Sequence, residues 1–291
     1  MARSEIPEPE IQIFLVCNRR KPDRLSVYFF FCMSSFEITF LGTSTSIGVP
    51  VIGCDCPVCE SDDPKNNRLR ASIHVKTPDR EWLVDTGPDI RYQCLRENIR
   101  HLDAVLYTHQ HADHVAGFDD LRRFTVGADA ELPIYATPEC MEALERSFDY
   151  AFNGQNRYRG YFKPKPHLVE GPFTLGETEV TPLAVNHGKV RTIGYLFELG
   201  GVRIAYIPDA KEIPPETKEL ITSVDVLILD ALQLAPHATH LSVEEALIVS
   251  VEVKAKQTWF THFSCRIVYH ELEEELPGNV GLAWDGLKIT L

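Results

Sequence analysis

Seven consecutive residues, Thr108-His109-Gln110-His111-Ala112-Asp113-His114, gather three imidazoles and a carboxylate in one short stretch. These are donors that divalent cations such as Zn²⁺ accept. The stretch follows an apolar run, residues 104–107, that reads as a short buried strand, so the donors fall in the turn that leaves it. Extended backbone lets His109 and His111 point the same way, while Asp113 and His114 open the next element and can address a second ion. A merely solvated turn explains the stretch poorly, because packed imidazoles lower one another's pKa and need partners. A second concentration of donors is Cys54, Cys56 and Cys59, three of the eight cysteines within six residues. That spacing suits one metal ion better than a disulfide framework and implies a reducing, cytoplasmic setting.

The elements that must position these groups follow an α/β pattern. A strand at residues 36–41 leads through a Gly/Ser/Thr loop, 42–48, into the cysteine cluster; the loop's amides could meet a phosphate, but ordinary loop chemistry explains it as well. Strands at 72–77 and 81–84 lead to Asp85-Thr86-Gly87, where Asp85 at a strand end is a candidate to orient a ligand histidine. After the His/Asp turn come a helix at 117–124, a strand at 132–135 and a helix at 138–148 with Pro138 in its first turn. Residues 150–166 read as an irregular segment that interleaves aromatics with Arg157, Arg159, Lys163 and Lys165, a candidate substrate lid in which Arg157 and Arg159 grip an anion. The second half predicts strands at 179–185, 193–199, 202–207, 226–229, 257–261 and 287–291, and helices at 215–222, 243–253 and 270–275, with Ser242 as an N-cap. No strong internal repeat is present.

Length and composition bound the possibilities. The 291 residues, 44% hydrophobic, suffice for one large domain. Residues 1–32 differ from the rest, with an acidic start, a basic cluster and an aromatic run; they read as a poorly ordered extension rather than a targeting signal, with the domain spanning 33–291. No run of about 18 apolar residues exists to span a membrane. A formal net charge of −13 and a pI near 5.3 repel polyanions and argue against nucleic acid, while a small anion held by cations stays compatible.

The turn resembles the His-x-His-x-Asp-His motif of the metallo-β-lactamase fold superfamily. The likeness runs from about Phe36 to the end and includes Gly42-Thr43, Leu83-Val84-Asp85-Thr86-Gly87, Gly117-Phe118-Asp119-Asp120-Leu121-Arg122 and Thr239-His240-Leu241-Ser242. It implies an αββα four-layer sandwich, two mixed β-sheets packed face to face with helices outside and metals at one edge where strands end. It also implies later ligands at the ends of apolar runs, and His187, Asp209 and His262 occupy such places. By resemblance His109, His111 and His187 hold one ion, Asp113, His114 and His262 the other, and Asp209 bridges them; the mixed shell suits Zn²⁺ or Mn²⁺. Cys54, Cys56 and Cys59 resemble the branch around the phosphoribosyl cyclic phosphodiesterase, whose fourth structural-zinc ligand is a histidine three residues beyond the last catalytic histidine. Here that position is Cys265, which makes a four-cysteine zinc site the expectation.

The reaction this implies is hydrolysis of a small cyclic phosphodiester such as 5-phosphoribosyl 1,2-cyclic phosphate. A hydroxide bridging two cations attacks phosphorus in line, and His240 passes a proton to the departing oxygen, with Asp113 and His240 as catalytic candidates. The expected partner is a small anionic phosphoester; a homodimer stays open. The rivals are hydrolysis of a thioester, a β-lactam or an RNA phosphodiester by the same metal pair, and a non-catalytic carrier on the same fold. A complete set of seven ligand positions favours an enzyme over the carrier.

Overall fold

The structure, a computed structural model, describes residues 36–125, 131–154 and 162–291. The 1–32 extension and the domain start near Met33 lie outside them. Strands β1 (Glu37–Gly42), β2 (Ser72–Lys76), β3 (Glu81–Val84), β4 (Ala104–Leu106), β5 (Leu132–Ala136) and β6 (Pro164–Leu168) form one sheet; its remaining edge is the last strand of the chain, Lys288–Thr290, beside β1. The other sheet contains β7 (Phe173–Leu175), β8 (Thr178–His187), β9 (Val190–Leu199), β10 (Val202–Ile207), β11 (Val226–Asp230), β12 (Gln257–Thr261) and β13 (Val280–Leu282) in that spatial order. Both sheets are mixed: pairing is antiparallel among β1 to β3 and β7 to β10, and parallel from β3 to β6 and from β10 to β13.

Period-2 alternation in strands buried on both faces generates the layers. Ala104 and Leu106 of β4 face the other sheet, where Val226 and Ile228 of β11 meet them in one apolar layer with Trp82 and Phe197, whose ring centroids lie 5.5 Å apart. Val105 of β4 points the opposite way, under α1 (Ile90–Arg96) and α3 (Pro138–Ser147), which contribute Ile90 and Leu144. Leu227 and Leu229 of β11 likewise turn toward α6 (Val243–Glu252) and α7 (Tyr269–Glu275), which bring Val249 and Leu272. Three apolar clusters thus separate four layers, the αββα sandwich. Ser242 caps α6 in a reciprocal box with Glu245: its hydroxyl accepts the Glu245 N–H, and the Glu245 carboxylate accepts the Ser242 N–H.

Several local expectations change. The 117–124 helix is a 3₁₀ helix at Phe118–Phe124. Segment 150–166 is not irregular throughout, since a short helix occupies Asp149–Phe152 and β6 starts at Pro164. Two prolines in β6 masked it as a strand, and an outer edge is where a sheet tolerates them. Helix α1 gave no periodic signal because it buries only Ile90, Gln93 and Cys94. No helix among the described residues is long and apolar enough to cross a membrane.

Candidate active site

Parallel register brings the donors together. Strands β10, β11 and β12 run side by side, with Ile207 opposite Leu229 and Asp230 opposite Thr261, so Asp209, Asp230 and His262 leave the sheet at neighbouring points of one edge. The turn after β4 arrives at that edge from the facing sheet, and the β8–β9 hairpin adds His187. Two glycines let the backbone close around the turn. A Cβ on Gly87 would lie 2.1 Å from the Asp113 carbonyl oxygen, and one on Gly117 would lie 2.2 Å from that of Gly87.

The donors form two groups, His109, His111, His187 and Asp209, and Asp113, His114, Asp209 and His262. Within each group the donor atoms all lie within 4.8 Å of one another, and Asp209 belongs to both. Asp209 Oδ2 stands 3.5 Å from His109 Nε2, 3.6 Å from His187 Nε2 and 3.4 Å from His114 Nε2; His114 Nε2 is 3.2 Å from Asp113 Oδ2. A tetrahedral ion bonded at 2.0–2.1 Å keeps neighbouring donors about 3.3 Å apart, so these separations suit a cation in each group. His262 Nε2 and Asp209 Oδ1 are 3.0 Å apart, both buried, and neither makes a hydrogen bond. His114 Nε2 is orphaned in the same way. Buried polar atoms are rarely left so, and donors that face one another without sharing a proton are what a cation requires.

The outer ring nitrogens are held. His114 Nδ1–H donates to Asp85 at 2.8 Å, and Asp85 also accepts the Thr108 N–H and hydroxyl, each at 2.8 Å. His187 Nδ1–H donates to the Thr239 carbonyl at 2.8 Å. Each bond fixes a tautomer that turns Nε2 inward. Asp85 and His262 both adopt positive φ, 65° and 61°, a conformation that side chains beyond glycine seldom take.

The electrostatics call for positive charge at the centre. Burial alone disfavours a charged His114, but Asp209, Asp85 and Asp113 outweigh it and hold the imidazole well above its usual range. Burial likewise opposes ionisation of Asp209, yet His262 and His114 hold it well below the carboxylate range. His109 sits well below the histidine range because of burial and His114.

Beside these groups lies a third, Asp230, His240 and His262. His240 Nδ1–H donates to Asp230 Oδ2 at 2.8 Å, Asp230 Oδ2 also accepts the Ala210 N–H at 3.0 Å, and the His240 ring stacks on His262 with centroids 5.0 Å apart. Burial lowers His240 and raises Asp230. The sequence pattern ends that strand at Leu229 and passes over Asp230, which follows an apolar run as Asp209 and His262 do but has Ala231 and Leu232 after it.

Cys54, Cys56, Cys59 and Cys265 converge with their sulfur atoms within 4.8 Å of one another, and all four are free of disulfides. The Cys59 backbone amide draws Cys56 down to about 7, while burial pushes Cys59 up to about 12. Four thiolates this close need a shared cation, so the set fits a closed four-sulfur metal site. Buried Arg68 joins the cysteine loop to the loop after His262, donating to the carbonyls of Lys65, Ser264 and Ile267. Arg157 and Arg159 lie outside the described residues.

Comparison with known proteins agrees with this architecture. Residues 80–263 match the family described as Beta-lactamase superfamily domain. A diphosphatase from the PhnP family is 38% identical in a solved structure, with a TM-score of 0.81 over 88% of this chain and 97% of that one. Zinc-bound PqqB from Methylobacterium extorquens shares the fold at 24% identity, with a TM-score of 0.72 over 88% of this chain and all of that one. The octanoyltransferase of Porphyromonas gingivalis is 34% identical over 259 residues, 86% of this chain but 51% of that protein, so the chain spans about half of that relative. The matched segment carries the His/Asp turn and the strand ends that meet it, and the protein belongs to the metallo-β-lactamase superfamily.

Proposed function

We propose that the protein is a dinuclear metal-dependent phosphodiesterase acting on a small phosphodiester, with a cyclic sugar phosphate such as 5-phosphoribosyl 1,2-cyclic phosphate as the substrate class. The observation that carries the reading is the pair of His/Asp groups sharing Asp209, with the Asp230–His240 pair against them. Similarity to a PhnP-family diphosphatase supports phosphorus as the reacting centre. His109, His111 and His187 hold one cation, Asp113, His114 and His262 the other, and Asp209 both, with zinc or manganese suiting the donors; Cys54, Cys56, Cys59 and Cys265 hold a structural zinc. When bound, two cations neutralise charge building on a phosphoryl group and acidify water.

The chain's own residues perform the rest. Asp85 and the Thr239 carbonyl keep the inner nitrogens of His114 and His187 in place, so no reorganisation accompanies the reaction. Asp230 fixes the His240 ring through Nδ1 and leaves Nε2 for the departing oxygen. To give up a proton there, His240 acts as the imidazolium, with both ring nitrogens protonated; burial opposes that charge, and the Asp209 and Asp113 carboxylates favour it.

The test is hydrolysis of bis(p-nitrophenyl) phosphate set beside a thioester and a β-lactam, with Asp113→Ala as the blank. The octanoyltransferase likeness makes the thioester arm the demanding comparison. Diester hydrolysis that exceeds the other two and disappears in Asp113→Ala is the expected result; faster thioester opening would overturn the assignment.

A further inference from the structure

The β8–β9 hairpin closes with two residues, Gly188 and Lys189, between the paired His187 and Val190. Gly188 takes φ 58°, as such tight turns require, and a Cβ there would stand 3.2 Å from the Thr239 side chain, so the tip is seated against the loop that holds His187 and His240. Lys189 is therefore carried at a fixed place two residues beyond a donor of the first group. A cavity of about 500 Å³ opens along this hairpin, lined by His187, Lys189 and Arg191 together with Val169, Glu170 and Ile193.

The two basic side chains differ in their engagement. Arg191 is neutralised by Glu139 on α3 at 3.0 Å. Lys189 has no ion pair or hydrogen bond among the described residues, an uncompensated cation beside the reaction centre of a chain with formal net charge −13. His187 belongs to the first donor group and also lines this cavity, so a substrate whose scissile phosphodiester lies at the centre can extend past His187 into the space that Lys189 lines. Glu170 is the acidic side chain on the lining, against Lys189 and the Glu139-paired Arg191, and the ammonium at the hairpin tip is the group that an anion projecting from the centre meets.

Resting on the phosphodiesterase reading, we propose that this cavity is the subsite for a second phosphate of the substrate and that Lys189 is its specificity residue. An exposed charge-assisted contact of this kind is worth up to about fivefold in affinity. Two substrates with the same scissile bond and leaving group isolate it: thymidine 5′-(p-nitrophenyl phosphate) and its 3′-phosphorylated counterpart. Lys189→Ala should raise KM for the 3′-phosphorylated diester about fivefold, with kcat and the KM of the other diester within about twofold. Lys189→Arg should restore it and Lys189→Glu should worsen it. Equal changes on both substrates, or none, would overturn the proposal.

Calorimetric binding of thymidine 3′,5′-bisphosphate reads the same subsite without turnover. Weaker binding by Lys189→Ala supports the subsite, and an unchanged Kd overturns it. If the wild-type chain hydrolyses neither diester, the phosphodiesterase reading falls while this binding measurement still decides the role of Lys189. The residue is exposed at a hairpin tip, so its variants keep the core intact.

Discussion

Asp85→Asn is the perturbation that best separates a metal-holding edge from a merely packed one. Asp85 is fully buried and accepts three hydrogen bonds, two from Thr108 and one from His114 Nδ1–H, all at 2.8 Å. An amide of nearly the same shape keeps one acceptor oxygen and puts an N–H₂ where a carboxylate oxygen stood. Either His114 or Thr108 then faces a donor, and a charge-assisted bond worth about 1.5–3 kcal/mol is lost. For the cation beside His114 this means a fall of about 10- to 100-fold in affinity, because the outer bond that fixes the ring and raises its basicity is gone. The metal-free protein behaves differently. Burial raises Asp85 above the usual carboxylate range, so ionising it costs stability there, and replacing it with a neutral group returns part of that cost. The variant should thus lose metal affinity while its metal-free Tm stays level or rises. The assay is zinc content after dialysis against a buffered series of free zinc, with thermal unfolding of the metal-free and loaded forms. Unchanged affinity together with a large drop in the metal-free Tm would refute the argument and make Asp85 a packing residue of the turn.

Three further outcomes follow from the geometry. Cys265→Ser should remove one equivalent of bound zinc, leave the His/Asp metals countable, and lower stability on the order of 2 kcal/mol, about 6 °C in Tm for a domain of this size; elemental analysis and calorimetry decide, and unaltered zinc content would dismiss the four-sulfur site. His240→Ala should reduce kcat about 100-fold or more for a diester that releases an alkoxide and far less for one that releases p-nitrophenolate, whose oxygen departs without a proton; equal losses on both would remove the proton-donor role. Asp285 is buried and raised from 3.8 to about 6, mainly by desolvation against the bonds it accepts from Leu69 N–H, Thr43 and Arg96. The folded chain holds that proton more tightly than the unfolded one, so its contribution is complete below about 3.8 and is lost as pH rises through about 6, a change of about 3 kcal/mol. Denaturant unfolding of Asp285→Asn should gain on the wild type by that amount between pH 4 and 7, and a constant difference across the range would contradict it.

The ligand shell was legible in the sequence because catalytic edges in such sandwiches are built at strand ends, and apolar runs ending in His or Asp mark those ends without reference to distance. His187, Asp209 and His262 were identifiable on that ground together with the family pattern. Asp230 fits the same rule, yet it follows four aliphatic residues and precedes Ala231 and Leu232, so it reads as an interruption within an apolar stretch rather than as its end. Only the parallel register of β11 with β10 and β12 shows that it leaves the sheet beside Asp209 and His262. The same limit concealed β6 and α1: a strand containing Pro164 and Pro166 violates the propensity that defines strands, and a seven-residue helix with two buried apolar side chains has no measurable period. Sequence pattern reports which side chains prefer burial, whereas the site depends on which strand ends are neighbours, and that information resides in pairing between segments far apart in the chain. Lys189 illustrates the consequence. Alone it is one of many surface lysines, and only the two-residue hairpin that seats it against Thr239 and His187 makes it a candidate for reading the substrate's charge.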